Sequence, residues 1–179
     1  MLFRSDIQVR QTDAAGNTSA AVSNLVVITE DSTAPAAPSF ALNSDTGSSN
    51  SDNITNDNVI NVTLAGDVAS WEYSLNGGTT WTTGTGTSFS MASDTSYAIG
   101  DIQVRQTDAA GNTSAAASNA VAITEDSTAP AAPSFALNSD TGSNSGDNIT
   151  NDNVINVTLS GGAVSWEYSL NGEIGRAHV

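Results

Sequence analysis

A stack of all-β sandwich modules is the fold class this sequence predicts, and three observations predict it. Residues 29–38, TEDSTAPAAP, recur letter for letter as residues 124–133. The same offset of 95 residues holds along the chain: 62 of the 72 positions from 6 to 77 are identical to those from 101 to 172, without a gap. Between the recurring segments apolar and polar residues alternate with period two, and no stretch has the periodicity of an amphipathic helix. A unit of this length is large enough for a modest sandwich core.

The recurring segment reads as a joint. Pro35 and Pro38 fix φ and push the residues before them into extended conformations, so the stretch is short and taut. The boundaries follow: residues 6–31 are the closing part of one repeat, 32–126 a complete repeat, and 127–172 the opening part of a third. Identity stops between Ser5 and Asp6 and again between Gly172 and Glu173. The head MLFRS and the tail EIGRAHV can be encoded by strings that are reverse complements over their shared part and resemble a short-read library adaptor. Residues 1–5 and 173–179 are therefore expected to be sequencing-adaptor artefact and are set aside from the fold, and the array is expected to be longer than this chain.

Within the complete repeat, Phe40 and Leu42 mark a short first strand. Residues 43–58, NSDTGSSNSDNITNDN, have loop composition. Ile60, Val62 and Leu64 alternate with Asn61 and Thr63; Trp71, Tyr73 and Leu75 alternate with Glu72 and Ser74 before an Asn-Gly-Gly turn. Trp81, Phe89 and Met91 mark two weaker strands. Ile102 and Val104 lead into the loop TDAAGNTS at 107–114. In the last strand Leu25 and Val27 become Ala120 and Ala122, while Val26 and Ile28 recur as Val121 and Ile123. Truncation of core residues costs about 2–5 kcal/mol, so the constant pair, Val121 and Ile123, is expected to face the core. About seven such strands give an immunoglobulin-like sandwich, here as tandem repeats, one complete and two truncated. Neither truncated part can close a sandwich, and each is expected to leave an apolar face and an unpaired edge.

Composition narrows the function. The chain has neither cysteine nor lysine, and its formal charge of −15 disfavours nucleic acid, which is held by cationic side chains. No stretch is long and apolar enough for membrane insertion. The single histidine, His178, lies in the tail, so no serine–histidine or cysteine–histidine arrangement exists, and the acids cluster in loops at module ends and not around a cleft. The chain reads as no enzyme.

The elements SDTGSSNSDNITND, WEYSLNGGTTWT, IQVRQTDAAGNTS and TEDSTAPAAP resemble the bacterial immunoglobulin-like repeats of giant secreted and surface adhesins, over all of residues 6–172. The resemblance implies extender modules, stiffened by calcium at their junctions. They would stand outside the cell, in a cell-surface or biofilm-matrix setting, with neighbouring repeats of the same chain as partners.

Calcium also follows from the acids themselves, since it takes six to eight oxygens from carboxylates, amides and carbonyls. If the strands alternate in direction, the loop bearing Asp45, Asp52 and Asp57 falls where the chain leaves the module, beside Asp126. The loop bearing Asp108 and Asn112 falls where the chain comes in, beside Asp31. These seven residues are the candidate calcium ligands. Asx-turns in the loops and solvated acids in the joint explain the same residues without metal. The second functional reading is a carbohydrate-binding module that stacks sugar on Trp81, with Trp71 a less open platform because it shares parity with Tyr73 and Leu75.

Overall fold

The computed structural model describes the backbone of residues 2–4 and the whole of residues 7–172. The chain divides into two compact units, Met1–Ser127 and Thr128–Val179. Every described element is a strand, and among the described residues no helix is long and apolar enough to cross a membrane.

The first unit opens with β1 (Leu2–Arg4), β2 (Gln8–Val9), β3 (Val22–Ser23) and β4 (Ile28–Glu30). Strands β2 and β3 form an antiparallel pair, as do β1 and β4. Residues 2–4, set aside above as foreign, thus have a described strand: an unpaired edge takes up an extended backbone whatever its origin. Residues 1, 5, 6 and the tail 173–179 lie outside the described residues.

Ten strands then build one module: β5 (Ser39–Leu42), β6 (Ile54–Thr55), β7 (Val59–Thr63), β8 (Val68–Ser74), β9 (Thr82–Thr83), β10 (Ser88–Ser90), β11 (Thr95–Tyr97), β12 (Gln103–Asp108), β13 (Ala117–Ser118) and β14 (Ile123–Glu125). One layer runs β5-β7-β10, the other β9-β8-β12-β13, and a three-stranded ribbon β11-β14-β6 completes the module. All pairings are antiparallel except β6 with β14.

The period-two alternation sets the core. Ile60 and Val62 from β7 and Phe89 from β10 belong to one cluster with Trp71 from β8, Val104 from β12 and Ile102 just before it. Phe40, Leu42, Leu64, Tyr73 and Leu75 pack around it, half-buried. Tyr73 stacks on Phe89 at 4.2 Å between centroids, and Trp71 lies 6.1 Å from Tyr73 and 6.2 Å from Phe89. The Trp71 indole donates to the Gly86 carbonyl at 3.0 Å, so its polar edge is satisfied without leaving the core.

The last strand corrects one expectation. Ile123 is buried, but Val121 is half exposed although it is unchanged between copies. The reason is a crossover: β13 pairs with β12, whereas β14 pairs with β11 and β6, so residues 119–122 pass between sheets and turn Val121 outward. Asn119 holds that passage. Its Oδ1 accepts from the N–H groups of Gly100 and Ile102, at 3.0 and 2.9 Å, and its Nδ2 donates to the carbonyls of Ala98 and Val121, both at 2.8 Å.

The second unit contains β15 (Ser134–Leu137) and β16 (Ile155–Thr158), an antiparallel pair. Both ends of the chain expose apolar side chains, Val9, Leu25 and Val26 in one and Phe135, Tyr168 and Leu170 in the other.

Candidate functional site

The strand directions place the candidate residues at two opposite poles of the complete module. At the pole where the chain comes in, Asp108 ends β12 and folds its loop back on itself. Its Oδ1 accepts from the N–H groups of Ala110 and Asn112, at 2.9 and 2.8 Å, and its Oδ2 accepts from Asn112 Nδ2 at 2.9 Å. Gly111 carries the positive φ of 92° that closes the turn. The Asn112 side-chain hydrogen bond, opposed by burial and helped by the loop N–H groups, holds the Asp108 carboxyl below its ordinary value. Asp13, bonded in the same way to Asn17, is also lowered, as is Asp152 through the Asn138 side chain.

A depressed carboxyl stabilises the fold above the unfolded-state value, near 4, and that contribution is lost as pH falls through the folded-state value. Urea midpoints are therefore expected to hold between pH 7 and 5 and to drop below about pH 4. Asn112→Ala is expected to shrink the drop. Equal acid sensitivity in the variant and the parent chain would contradict this assignment.

The same asparagine reaches the joint. Asn112 Nδ2 also donates to the Asp31 carbonyl at 3.0 Å, while the Asp31 carboxylate caps the Thr33 N–H at 3.1 Å. Gln106, fully buried, adds a second tie that the sequence did not reveal. Its Nε2 donates to the Ala36 carbonyl at 2.8 Å, inside the joint, and its Oε1 accepts from the Ala65 N–H at 3.1 Å. A glutamine in a strand at inward parity is the one available signal for it.

At the opposite pole the 43–58 loop is knitted to the departing chain. Strand β6 runs parallel to β14, and the Asp126 N–H donates to the Thr55 carbonyl at 2.9 Å. Asp52 Oδ1 caps the Ile54 N–H at 3.1 Å. Asp57 accepts from the Val59 N–H at 3.0 Å and from Asn43 Nδ2 at 2.7 Å. Asp45 differs. Its Oδ2 accepts from the Asn53 N–H at 3.0 Å, where Asn53 adopts the left-handed φ of 61°, but its Oδ1 is shielded from solvent and has no hydrogen-bond partner. The equivalent residue of the next repeat, Asp140, repeats the pattern: Oδ2 accepts from Asn148 at 3.1 Å, and Oδ1 is shielded and without a partner. Glu125 is also buried here, where its carboxylate accepts from the Asp94 N–H and the Ser127 hydroxyl.

The structure thus brings Asp31 to Asp108 and Asn112 at one pole, and Asp126 to the loop of Asp45, Asp52 and Asp57 at the other. The two sets stay apart. Among the described residues no group of three or more Asp, Glu, His or Cys side chains stands close enough to hold a metal ion by itself. A hard cation could still be held by one carboxylate together with amide, hydroxyl and carbonyl oxygens, and an unpartnered shielded carboxylate oxygen is what such an ion satisfies. The Asp45 loop fits that requirement.

A groove of about 600 Å³ runs between β5 and the β13–β14 crossover, and among the described residues Asp45 is the only carboxylate in its wall. Trp81 presents no open platform on the face where Arg105 lies, 3.9 Å from the ring centroid, held there by an ion pair to Glu72 at 2.8 Å.

Two packed β-layers with polar loops at the poles define an immunoglobulin-like sandwich module whose joint is gripped by the module that follows it. Residues 32–127, more than half of the chain, match the bacterial Ig-like domain family. The chain belongs to that family. No curated protein matches it.

Proposed function

We propose that the chain is part of the structural stalk of a large bacterial surface adhesin, a non-enzymatic spacer outside the cell whose joints are stiffened and whose partners are its own neighbouring repeats. The observation that carries this reading is the gripped joint. Gln106 and Asn112, from two positions of the same module, hold the carbonyls of Ala36 and Asp31, so a linker that prolines alone would leave pivoting is tied at two points. A binding module would have no use for that tie, and Arg105 over Trp81 weakens the carbohydrate reading.

Calcium is the structural cofactor of this proposal. Asp45 would anchor the ion through Oδ1, with oxygens of the same loop, including those of Asn56, Asp52 and Asp57, completing the set. Asp126 leaves the module beside that loop, so an ion there would couple the loop to the outgoing joint. Asp31, Asp108 and Asn112 act at the other pole chiefly through hydrogen bonds already made, and join a metal set only with acids from a preceding module. When bound, calcium neutralises crowded carboxylates and restricts the chain.

The joint is tested by pulsed electron–electron distance measurement between spin labels at Ala20→Cys and Ser90→Cys, in a chain without native cysteine. The expected result is one narrow distance distribution that broadens in Gln106→Ala/Asn112→Ala. A width that does not change in the double variant would contradict the stalk reading.

A further inference from the structure

The complete module is open along one flank. Among the described residues β5 pairs with β7 alone and β13 with β12 alone, so each layer ends there in a bare edge. The Asn43 N–H donates to the Val59 carbonyl at 2.9 Å, which sets the phase of the β5–β7 ladder. Residue pairs in an antiparallel ladder alternate between hydrogen-bonded and non-hydrogen-bonded. Ser39, Ala41 and Asn43 therefore use their backbone groups on β7, while Phe40 and Leu42 turn theirs to the free edge, where both residues line the groove of about 600 Å³. Edge strands are commonly blunted by a lysine, an internal proline or a bulge. Strand β5 has none of these: its four residues are Ser39–Leu42, and its register with β7 runs without a break.

The facing wall is apolar and small. Ala117 and Ala120 line it together with Val121 and Ile123. The preceding repeat carries Val22 and Leu25 where the complete module has Ala117 and Ala120, so the room in this wall belongs to the complete module and not to every copy. Charge is one-sided too. Asp45 lies in the wall just past the end of β5, and no lysine or arginine of the described residues lines the groove. The Asp45 Oδ1 is shielded and without a partner, and the chain as a whole carries −15. A second copy of this lysine-free chain would meet repulsion at the groove, whereas a basic segment is attracted to it.

We propose that the open flank takes an extended basic peptide segment of a partner protein, which adds a strand to β5. Its backbone pairs with the N–H and C=O groups of Phe40 and Leu42, and the β5-β7-β10 layer gains a fourth strand. Its alternate apolar side chains lie against Ala117, Ala120 and Ile123, and a lysine or arginine reaches Asp45. The groove volume falls within the range of about 300–1,000 Å³ usual for ligand sites. This goes beyond the stalk reading and does not rest on it. Calcium would compete with the basic side chain for Asp45, so the test is made in chelator and stands whatever calcium does.

The probe is a short fluorescent peptide of alternating valine and threonine with a lysine at each end, titrated into the 179-residue chain at low salt. The expected result is saturable binding, with the amides of Phe40 and Leu42 exchanging more slowly in the complex. The same peptide with glutamate in place of lysine is expected to bind about tenfold more weakly, as is the lysine peptide to Asp45→Asn. Ala117→Val/Ala120→Leu installs the residues that the preceding repeat already uses, and is expected to abolish binding. The thermal transition of the module serves as the folding control for both variants. No saturable binding, equal binding of the glutamate peptide, slowed exchange confined to amides outside β5, or an affinity unchanged in Asp45→Asn or in the double variant would overturn the proposal.

Discussion

Gly84→Ala is expected to cost the complete module about 3 kcal/mol, at the upper end for overpacking a core with a single methyl group. A Cβ on residue 84 would stand 2.1 Å from Cε2 and 2.2 Å from Cζ2 of Trp71, far inside contact distance. Neither side can retreat. The Gly84 N–H donates to the Trp71 carbonyl at 2.9 Å, so backing away breaks a backbone bond. The Trp71 ring is pinned by its bond to Gly86 and by Tyr73 and Phe89 against its flanks. Backbone strain is not the cause, because residue 84 has no positive φ. Denaturant melts of a two-by-two set check the assignment. Trp71→Ala alone should cost about 3–5 kcal/mol, and adding Gly84→Ala to it should cost less than about 1 kcal/mol, because the ring that clashed is gone. Additive losses would show that glycine is needed for some other reason.

Asn119→Ala is expected to cost about 3 kcal/mol, although it removes only a surface-type polar residue by composition. One side chain satisfies two N–H groups and two carbonyls in a passage where the chain has left one sheet and not yet joined the next. Buried backbone groups left without partners cost about 1–3 kcal/mol each when water cannot reach them. The Gly100 N–H also has the Asn119 carbonyl, at 3.1 Å, so the heaviest loss falls on Ile102, whose side chain is fully buried. Hydrogen exchange provides the finer readout: the amide of Ile102 should lose protection in Asn119→Ala more than the amides of β7. Uniform loss across the module, or none, would contradict the assigned role.

These two positions also show what the sequence could carry. The joint, the 95-residue offset and the alternating strands β7, β8 and β12 were legible, because repetition and period-two burial leave marks in the sequence itself. Strands β6, β11 and β13 were not, since two or three residues of Thr, Ser, Ala, Ile or Tyr have no measurable period and owe their state to pairing with neighbours. Val121 misled for a related reason: identity between copies recorded descent, while the crossover fixed by Asn119 decided which way the side chain faced. At the poles, strand direction alone was enough to place Asp31 near Asn112 and Asp126 near the loop of Asp45, Asp52 and Asp57. The buried reach of Gln106 into the joint and the unpartnered oxygen of Asp45 depend on side-chain partners in three dimensions. No linear pattern encodes them.

The most direct test of the stalk as a calcium-dependent device is thermal unfolding of the 179-residue chain in calcium and in chelator, for the parent chain and Asp45→Asn. A ligand that binds only the folded state at 100 times its dissociation constant adds about 2.7 kcal/mol, which for a module of this size raises Tm by about 10 °C or more. The expected result is that rise in the parent chain and its loss in Asp45→Asn, with the two chains melting close together in chelator. Equal Tm in calcium and chelator, or an equal rise in Asp45→Asn, would contradict the account.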